Sequence, residues 1–406
     1  MVENVSIKIA IINYKEIGSF LGGQEKAVET IIKSLKYSKK IDCEIVVFSF
    51  GLKESKNKIF GGVEQVVIKG GRYDEEGFSI NRILNFAHLA FFGSKFSLEG
   101  LNKNCQMMDS VKRFGPEIII TVTSNLYHFI KEYKKCGGTA KIISYLDSPK
   151  LIEDSFAALE AVGAPAWTKR ILNRTLRFKY KDYYNNTYVT IAQYSDMVVI
   201  ASKQDRDELL KLIGSKFNGK IKVIPPVYVE RVPRFKKAPK NVKVILFAGA
   251  FGYYPNAEAI DTIKRIIAPS MPDKTFIIAG RGGKTMTVGN INFIGDVKDI
   301  RRLVTKADVC IAPLLHGSGM KQKVLDYMLS FKPVIGTAVA FNGYSIRNRI
   351  EAIVENDPNK FPLRIEELVS NPVLLRRLAR ECKSVCKRFT LDKLSSKWGS
   401  AIEELR

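Results

Sequence analysis

The sequence predicts an α/β protein made of two Rossmann-like domains, each built on a doubly wound parallel sheet. Short apolar runs alternate with amphipathic segments along most of the 406 residues, which is typical of parallel sheets covered by helices on both faces. A chain of this length exceeds the size at which one core usually divides into two. Between the two sets of strands lies PPVYVERVPRFKKAPKNVK, whose proline and basic residues indicate an interdomain linker.

The first half opens with the strand SIKIAIINY and an amphipathic helix in GQEKAVETIIKSLKYSKK. One side of that helix is apolar, as packing against a sheet requires, and carries Ala27, Ile31, Ile32 and Leu35. Further buried strands are predicted at CEIVVFSF, EIIITVT, KIISYL and DMVVIAS. Helical stretches separate several of them, so this half matches the alternating pattern.

The second half repeats the alternation after the linker. Strands are predicted at KVILFAGA, TFIIAG, INFIG, VCIAPL and PVIGT. Helices are predicted from about Asn256 to Ile267, over VKDIRRLVTKA, and from about Met320. The last stretch, Leu363 to Arg406, is helical without a strand signal. In sheets of this kind ligands bind beyond the carboxyl ends of the strands, so we expect a site in a cleft between the halves.

The turn HGSG, between the strand VCIAPL and the next helix, carries the strongest chemical signal. Its glycines permit a ligand to approach the backbone, and the helix that follows directs free N–H groups toward it. Lys321 and Lys323 add positive charge on the first turn, and Asp326 lies one turn further on. A pyrophosphate flanked by a sugar and a ribose is the ligand that would use all of these groups.

Other strand ends also carry glycine or charge. Gly249 and Gly252 follow the first strand of the second half, Arg281 follows TFIIAG, and FIGDV ends a third strand. Their convergence on one sheet edge favours a nucleotide site, although Arg281 alone fits a solvated loop equally well. In the first half, Gly22 and Gly23 fit either a phosphate-binding loop or an ordinary turn between strand and helix.

Asp147, in SYLDSPK, follows a strand of the first half and should face the cleft. It is either a catalytic group or part of an Asp-Ser-Pro turn. No metal site is predicted, because the six cysteines are scattered without metal-ligand spacing and the chain has only three histidines. His316 lies beside the glycine turn, where it could contact a ligand.

The formal net charge of +24 indicates an anionic partner. Trp167–Lys181 interleaves basic with apolar residues, as segments on an anionic membrane surface do, and Asn85–Leu98 is apolar and aromatic. Both segments could instead be helix faces packed on the sheet with lysines extending to solvent. No run reaches the roughly 18 apolar residues of a membrane span, and no nucleic-acid motif accompanies the charge, so nucleic acid is not an expected partner.

In this order the residues resemble the retaining glycosyltransferases of family 4, glycosyl transferases group 1, which have the GT-B fold. The specific part is Val244 to Ala340: FAG…PN, IIAGRG, NFIGDV, ADVCIAPL, and G-x-G followed by K-V-L-D before KPVIGT. The resemblance implies an N-terminal acceptor domain at 1–225, a linker at 226–243 and a nucleotide-sugar domain at 244–385. Residues 386–406 would form a C-terminal helix that packs back on the N-terminal domain.

Carried over residue by residue, the resemblance implies that Asp296 and Val297 meet the base and Asp326 holds the ribose. Further donor contacts are implied for the glycine turn, the residues after it and the other strand ends: Gly22, Gly23, Gly249, Gly252, Arg281, Gly317, Ser318, Gly319, Met320, Lys321, Lys323 and Val324. Asp147, His316 and Asp326 are the implied catalytic residues. Cations and a helix N-terminus, without a metal, would stabilise the leaving diphosphate of a UDP- or GDP-sugar.

The chain departs from the family at its E-x(7)-E pair, where Asp326 replaces the second glutamate. The residue eight positions earlier is Ser318, whereas matching the glycines instead puts His316 in the place of the first glutamate. From the resemblance, the net charge and the two membrane-contact segments we nevertheless expect a cytoplasmic hexosyltransferase. It would be peripheral at the inner membrane face and act on a glycan or lipid-linked acceptor. The alternative is a nucleotide-sugar-binding protein with the same fold and no transferase activity of its own. A sugar epimerase of this fold would need acid and base residues that the sequence does not offer.

Overall fold

The computed structural model describes residues 6–13, 16–17, 23–51, 53–69, 97–146, 149, 177–235, 238–297, 299–317 and 319–406. The chain divides into two compact units, Met1–Tyr228 with Leu391–Arg406, and Val229–Thr390. Each unit contains a parallel-dominated sheet with flanking helices. The expected α/β class, with two doubly wound Rossmann-like sheets, is confirmed.

The sheet of the first unit runs in the order β3-β4-β2-β1-β5-β6-β7-β8. Its strands are β1 (Ile7–Asn13), β2 (Cys43–Gly51), β3 (Ser55–Ile59), β4 (Val63–Lys69), β5 (Ile118–Val122), β6 (Lys141–Leu146), β7 (Met197–Ile200) and β8 (Ile221–Val223). The helices are α1 (Gly23–Tyr37), α2 (Ser97–Phe114), α3 (Tyr127–Lys135), α4 (Arg177–Tyr194) and α5 (Lys203–Ile213). Only the β3–β4 pair is antiparallel among these strands.

The sheet of the second unit runs in the order β11-β12-β10-β9-β13-β14-β15. Its strands are β9 (Val244–Ala248), β10 (Thr275–Gly280), β11 (Met286–Val288), β12 (Ile291–Gly295), β13 (Val309–Ala312), β14 (Val334–Gly336) and β15 (Ile353–Val354). The helices are α6 (Tyr254–Thr262), α7 (Ile300–Lys306), α8 (Gln322–Leu329), α9 (Phe361–Ser370) and α10 (Pro372–Cys386). In both sheets the chain order reverses beside the first strand, at β1/β5 and at β9/β13.

Burial explains why these strands are continuously apolar. Successive side chains of a strand point to opposite faces, and helices cover both faces of the first sheet. Ala10 and Ile12 of β1 therefore enter one core, whereas Ile9 and Ile11 enter the other. All four are completely buried.

The last helix, α11 (Leu391–Glu403), belongs to the first unit, where it packs against α1. Its Trp398 is completely buried in the core that also holds Ile9 and Ile11 of β1, and it stacks on Tyr145 with 6.5 Å between ring centres. Lys40 forms a 3.2 Å ion pair with Glu403 at the edge of this contact. The first unit is thus built from both ends of the chain.

Two expected helix starts differ from the structure. Helix α6 begins at Tyr254, with Pro255 in its first turn, and continues into a π-helical turn over Ile263–Ile267. Helix α8 begins at Gln322 instead of near Met320, so Lys321 is its N-cap and lies outside the first turn. The physical reason is that the Lys321 side chain and carbonyl are both engaged in hydrogen bonds, which hold Lys321 itself in an extended conformation.

Several sequence expectations fall outside the described residues: Asp147, Gly22, Ser318, most of Trp167–Lys181 and most of Asn85–Leu98. They stay predictions. Among the helices that the structure describes, none has the length and apolar character needed to span a membrane.

Candidate functional site in the second unit

The order of strands in the second sheet reverses between β9 and β13, which pair in parallel through Ile245–Val309 and Leu246–Cys310. The chain leaves β9 toward α6 and leaves β13 through the glycine turn toward α8. Ligands of doubly wound sheets bind at such a reversal, beyond the carboxyl ends of the strands. This edge brings together Gly249, Gly252, His316 and the glycine turn, as the sequence predicted for strand ends.

The glycine turn has a backbone that favours glycine. Gly317 has φ +122° and Gly319 has φ +66°, both in the left-handed region that side chains disfavour. The ammonium of Lys321 donates hydrogen bonds to the carbonyl oxygens of both glycines, each at 2.8 Å. Tyr344 adds a hydrogen bond from its hydroxyl to the Lys321 carbonyl, at 2.9 Å. Lys321, which is 9% exposed, therefore holds the turn together.

Lys323 occupies the first turn of α8 in an unusual setting for an ammonium. Its Nζ donates to Oδ1 of Asn256 at 2.6 Å and lies 4.2 Å from the centre of the Phe247 ring. Asn256 is oriented by its own amide, which donates to the Ala250 carbonyl at 3.0 Å. Burial, together with the neighbouring Lys321 charge, lowers the pKa of Lys323 to about 7. Within the described part of the chain, no carboxylate forms an ion pair with Lys323, so its positive charge is suited to a bound anion.

Helix α8 divides its residues between the core and the ligand side. Val324 is completely buried, so its side chain packs inside and only its backbone is available to a ligand. Tyr327 is also completely buried, and its hydroxyl accepts a 2.7 Å hydrogen bond from the Ala248 amide at the end of β9. Asp326 and Met320 are half-buried. Asp326 lies one turn after Lys323, on the same helix.

The remaining strand ends of this edge are joined by hydrogen bonds. Asp296 adopts a left-handed φ of +36°, and its Oδ1 accepts from the Gly282 amide at 3.2 Å. The Phe251 amide donates to the Arg281 carbonyl at 2.9 Å. The Arg281 side chain is exposed and Val297 is half-buried. The loops after β9, β10 and β12 thus form one connected rim.

Close packing of the backbone explains one glycine at this rim. A Cβ placed on Gly280 would lie 2.1 Å from the carbonyl oxygen of Gly249. Gly252, by contrast, has open space around it. The two glycines therefore have different functions. Gly280 is needed so that two strand ends can approach each other, whereas no close packing requires a glycine at Gly252.

Sequence reasoning missed Asn256 and Glu258, which both contact predicted site residues. Asn256 holds Lys323, and the Glu258 carboxylate lies 2.9 Å from Nδ1 of His316. Asn256 follows the Tyr-Tyr-Pro turn, a position from which a side chain can return toward the strand end. Nothing in the sequence singles out Glu258, because a glutamate on an amphipathic helix ordinarily faces solvent.

In the first unit, Gly23 is the first residue of α1, which follows β1. The part of the chain that the structure describes contains no group of three or more His, Cys, Asp or Glu residues arranged to hold a metal ion. The candidate site described above consists of cations, glycine backbone and helix N-terminus within the second unit.

Residues 242–371, within the second unit, match the family described as glycosyl transferases group 1. A curated relative from Bacillus subtilis (strain 168), provisionally assigned as the glycosyltransferase EpsD, is 22% identical over 223 residues. That match covers 49% of this chain and 58% of the relative, so it spans little more than half of that protein.

Solved structures of two proteins share the fold over nearly the whole chain. Alr3699/HepE from Anabaena, solved with UDP, has a TM-score of 0.66 at 12% identity, covering 98% of this chain and 100% of that one. Sucrose-phosphate synthase from Thermosynechococcus elongatus has a TM-score of 0.68 at 13% identity, covering 98% and 99%. HepE has also been solved with UDP-glucose, with a TM-score of 0.64 at 11% identity and coverage of 98% and 100%. The chain thus has the GT-B fold, and its residues 242–371 match the family of glycosyl transferases group 1.

Proposed function

We propose that the chain is a retaining glycosyltransferase that moves a hexose from a nucleoside-diphosphate sugar to a glycan or lipid-linked acceptor. One observation carries the donor half of the proposal. Lys323, a half-buried lysine whose pKa burial lowers to about 7, lies at the strand reversal beside the glycine turn and has no carboxylate partner among the described residues. The family domain at 242–371 and the fold shared with HepE, a protein solved with UDP and with UDP-glucose, support it.

The donor diphosphate would supply the negative charge that Lys323 lacks. The amino end of α8 and the glycine turn add N–H groups and the positive end of a helix dipole. Asp326 would accept hydrogen bonds from the ribose hydroxyls, and the backbone at Asp296 and Val297 would contact the base of a UDP- or GDP-sugar. Arg281 is exposed at the same rim, where it can approach a phosphate.

Charge develops on the diphosphate as the bond to the sugar breaks, and the fixed cations would stabilise it there. These groups are the chain's own, so the proposed reaction has no resident metal. Retention of configuration and the participation of Gly22, Gly23 and Asp147 are proposed from the resemblance to family 4.

The acceptor is proposed to lie at a membrane. The net charge of +24 suits an anionic surface, and Trp167–Lys181 and Asn85–Leu98 are the proposed contacts. The enzyme would then act as a peripheral protein on the cytoplasmic face, where nucleotide sugars and lipid-linked glycans meet.

A thermal-shift panel of nucleoside diphosphates and nucleotide sugars tests the donor site. A ligand at 100 times its Kd adds about 2.7 kcal/mol of apparent stability, so wild type should shift with one base only. Asp326→Ala should lose that shift, whereas Asp261→Ala, which removes an exposed ion pair with Arg265 in the same unit, should keep it. Absence of a shift with every nucleotide would contradict the proposed function.

A second candidate function is nucleotide-sugar binding without transfer. It is favoured by the altered glutamate pair, with His316 and Asp326 at its positions. Release of nucleoside diphosphate from the donor identified in the panel, measured with membrane extracts and with water alone as acceptor, separates the two. Binding with neither transfer nor slow hydrolysis would establish the second candidate.

A further inference from the structure

His316 and Glu258 form a hydrogen-bonded pair that connects two elements of the second unit. Both carboxylate oxygens of Glu258 approach Nδ1 of His316, at 3.1 and 2.9 Å. Tyr254, one turn earlier on α6, donates its hydroxyl to the same carboxylate at 3.3 Å. The Glu258 side chain is 21% exposed and that of His316 is 41% exposed. The carboxylate is therefore mostly covered, while the imidazole remains open to a ligand.

The pair lies at the strand reversal of the second sheet. Glu258 belongs to the helix that follows β9, and His316 lies between β13 and the glycine turn, directly before Gly317. These are the two strands between which ligands of doubly wound sheets bind. The pair therefore lies beside the proposed donor site, close to where the diphosphate and its sugar would lie.

The carboxylate determines which nitrogen of the imidazole carries hydrogen. An ionised carboxylate only accepts hydrogen bonds, so Nδ1 must be the donor. In the neutral ring Nε2 is then an acceptor, because the two nitrogens take opposite roles. A carboxylate that fixes a histidine in this way is familiar from metal and catalytic sites. In the neutral ring of His316 it leaves Nε2 with a lone pair and no hydrogen.

A lone pair on Nε2 selects among the parts of a nucleotide sugar. Phosphate oxygens of the ionised diphosphate have no hydrogen to donate, whereas every sugar hydroxyl has one. The structure gives Nε2 no hydrogen-bond partner among the residues it describes. Hydroxyls of both the ribose and the hexose can donate to this nitrogen. The proposed donor site assigns the ribose hydroxyls to Asp326, so a hexose hydroxyl is the group left for His316.

On the basis of the proposed donor site, we infer that Glu258 is a positioning residue that orients His316 to accept a hydrogen bond from a hydroxyl of the donor hexose. The pair would then determine specificity for the sugar, while Lys323 and Asp326 hold the nucleotide. Asp326 and Lys323 act on groups that UDP and a UDP-sugar share. Glu258, through His316, acts only on the hexose, which UDP lacks.

Calorimetric titration with UDP and with UDP-glucose tests this separation, or GDP and a GDP-hexose if wild type prefers guanine. Glu258→Gln keeps the shape of the side chain but can donate to Nδ1, which would place the hydrogen on Nε2. We expect about tenfold weaker binding of the nucleotide hexose, the loss of one hydrogen bond, with UDP binding unchanged. Glu366→Gln, a mostly exposed carboxylate near Lys274, is the matched control and should change neither.

Nitrogen NMR of the histidine rings supplies a readout that packing alone would not move. The chain has only three histidines, and His316→Gln assigns the signal of interest. Wild type should show His316 with hydrogen on Nδ1, and Glu258→Gln should transfer it to Nε2.

The outcomes separate this proposal from the proposed function. Equal loss of UDP and UDP-hexose affinity in Glu258→Gln, no loss of either, or a wild-type ring with hydrogen on Nε2 would overturn the sugar-positioning role alone. A wild type that binds no nucleotide would overturn both proposals.

Discussion

At the residue scale, Lys323 is the group whose environment most clearly opposes its charge. Its pKa is lowered from 10.5 to about 7 by burial and by Lys321, so folding disfavours the charged form. The resulting destabilisation is complete below pH 7, where folded and unfolded chains are both charged. It decreases as pH rises and vanishes near the unfolded value.

Replacement of this ammonium should therefore stabilise the ligand-free protein. Lys323→Met should raise the melting temperature by about 2–6 °C near pH 7 and abolish the shift produced by a nucleoside diphosphate. Differential scanning fluorimetry with and without the nucleotide measures both effects. Lys264→Met, at an exposed position of the same unit, is the control. A lower melting temperature for Lys323→Met would show that its contacts with Asn256 and Phe247 outweigh burial of the charge.

The same pKa predicts how donor affinity depends on pH. Below pH 7 the ammonium is charged before binding, so affinity is at its maximum. Above pH 7 the bound diphosphate must recapture a proton, and affinity should fall by up to about tenfold per pH unit until the pKa of the complex is reached. A UDP-sugar suits the titration, because its diphosphate does not titrate in this range. In Lys323→Arg the side chain is permanently charged, so its donor affinity should not fall above pH 7. A fall of affinity in both proteins would show that a group other than Lys323 causes the pH dependence.

At the element scale, the strand ends of the second sheet meet closely enough that glycine is required at position 280. Gly280→Ala would place a Cβ 2.1 Å from the Gly249 carbonyl oxygen, so β10 or β9 must shift. We expect a loss of about 1–3 kcal/mol in unfolding free energy and weaker nucleotide binding. Gly252→Ala, in open space on the same rim, should cost little stability. Denaturant titration of both variants measures these losses. If Gly280→Ala were as stable as Gly252→Ala, the strand ends would be able to adjust freely.

The elements that sequence reasoning found and missed differ in burial. Strands such as β1 and β5 are recognisable in the sequence because both faces of their sheet are covered. Nearly all of their residues are therefore buried, and most are apolar. Strand β3 is a polar edge strand, SKNKI, with four of its five residues exposed. Edge strands often carry lysine, which opposes further pairing, and so they lack the apolar pattern. The start of α8 was misplaced because Tyr344, far along the chain, binds the Lys321 carbonyl.

In the candidate site, some residues could be recognised from the sequence and others could not. Its glycines and lysines were recognisable because they lie together in the chain after strand ends. The pairing of His316 with Glu258 joins residues 58 positions apart, and no local pattern signals it. Spatial partners of this kind require the fold, whereas the residues that line a single turn do not.

At the scale of the whole molecule, the proposed donor site uses residues of one unit only. A fragment spanning residues 229–390 contains its own hydrophobic core. We expect it to fold alone and to bind the nucleoside diphosphate that the complete chain binds, with a Kd within about tenfold. Circular dichroism and calorimetric titration test this, with the Lys323→Met fragment as control. A folded fragment that binds nothing would show that donor affinity also requires residues of the first unit.

The bond between the Ala248 amide and the Tyr327 hydroxyl has a consequence for hydrogen exchange. This amide ends β9 but is protected by a side chain of α8, not by a neighbouring strand. Its exchange with solvent deuterium therefore reports whether α8 is seated on the sheet. If a nucleotide steadies α8, the protection of this single proton should rise while amides in the middle of β9 stay as they were. One backbone position would then report occupancy of the donor site without a labelled nucleotide.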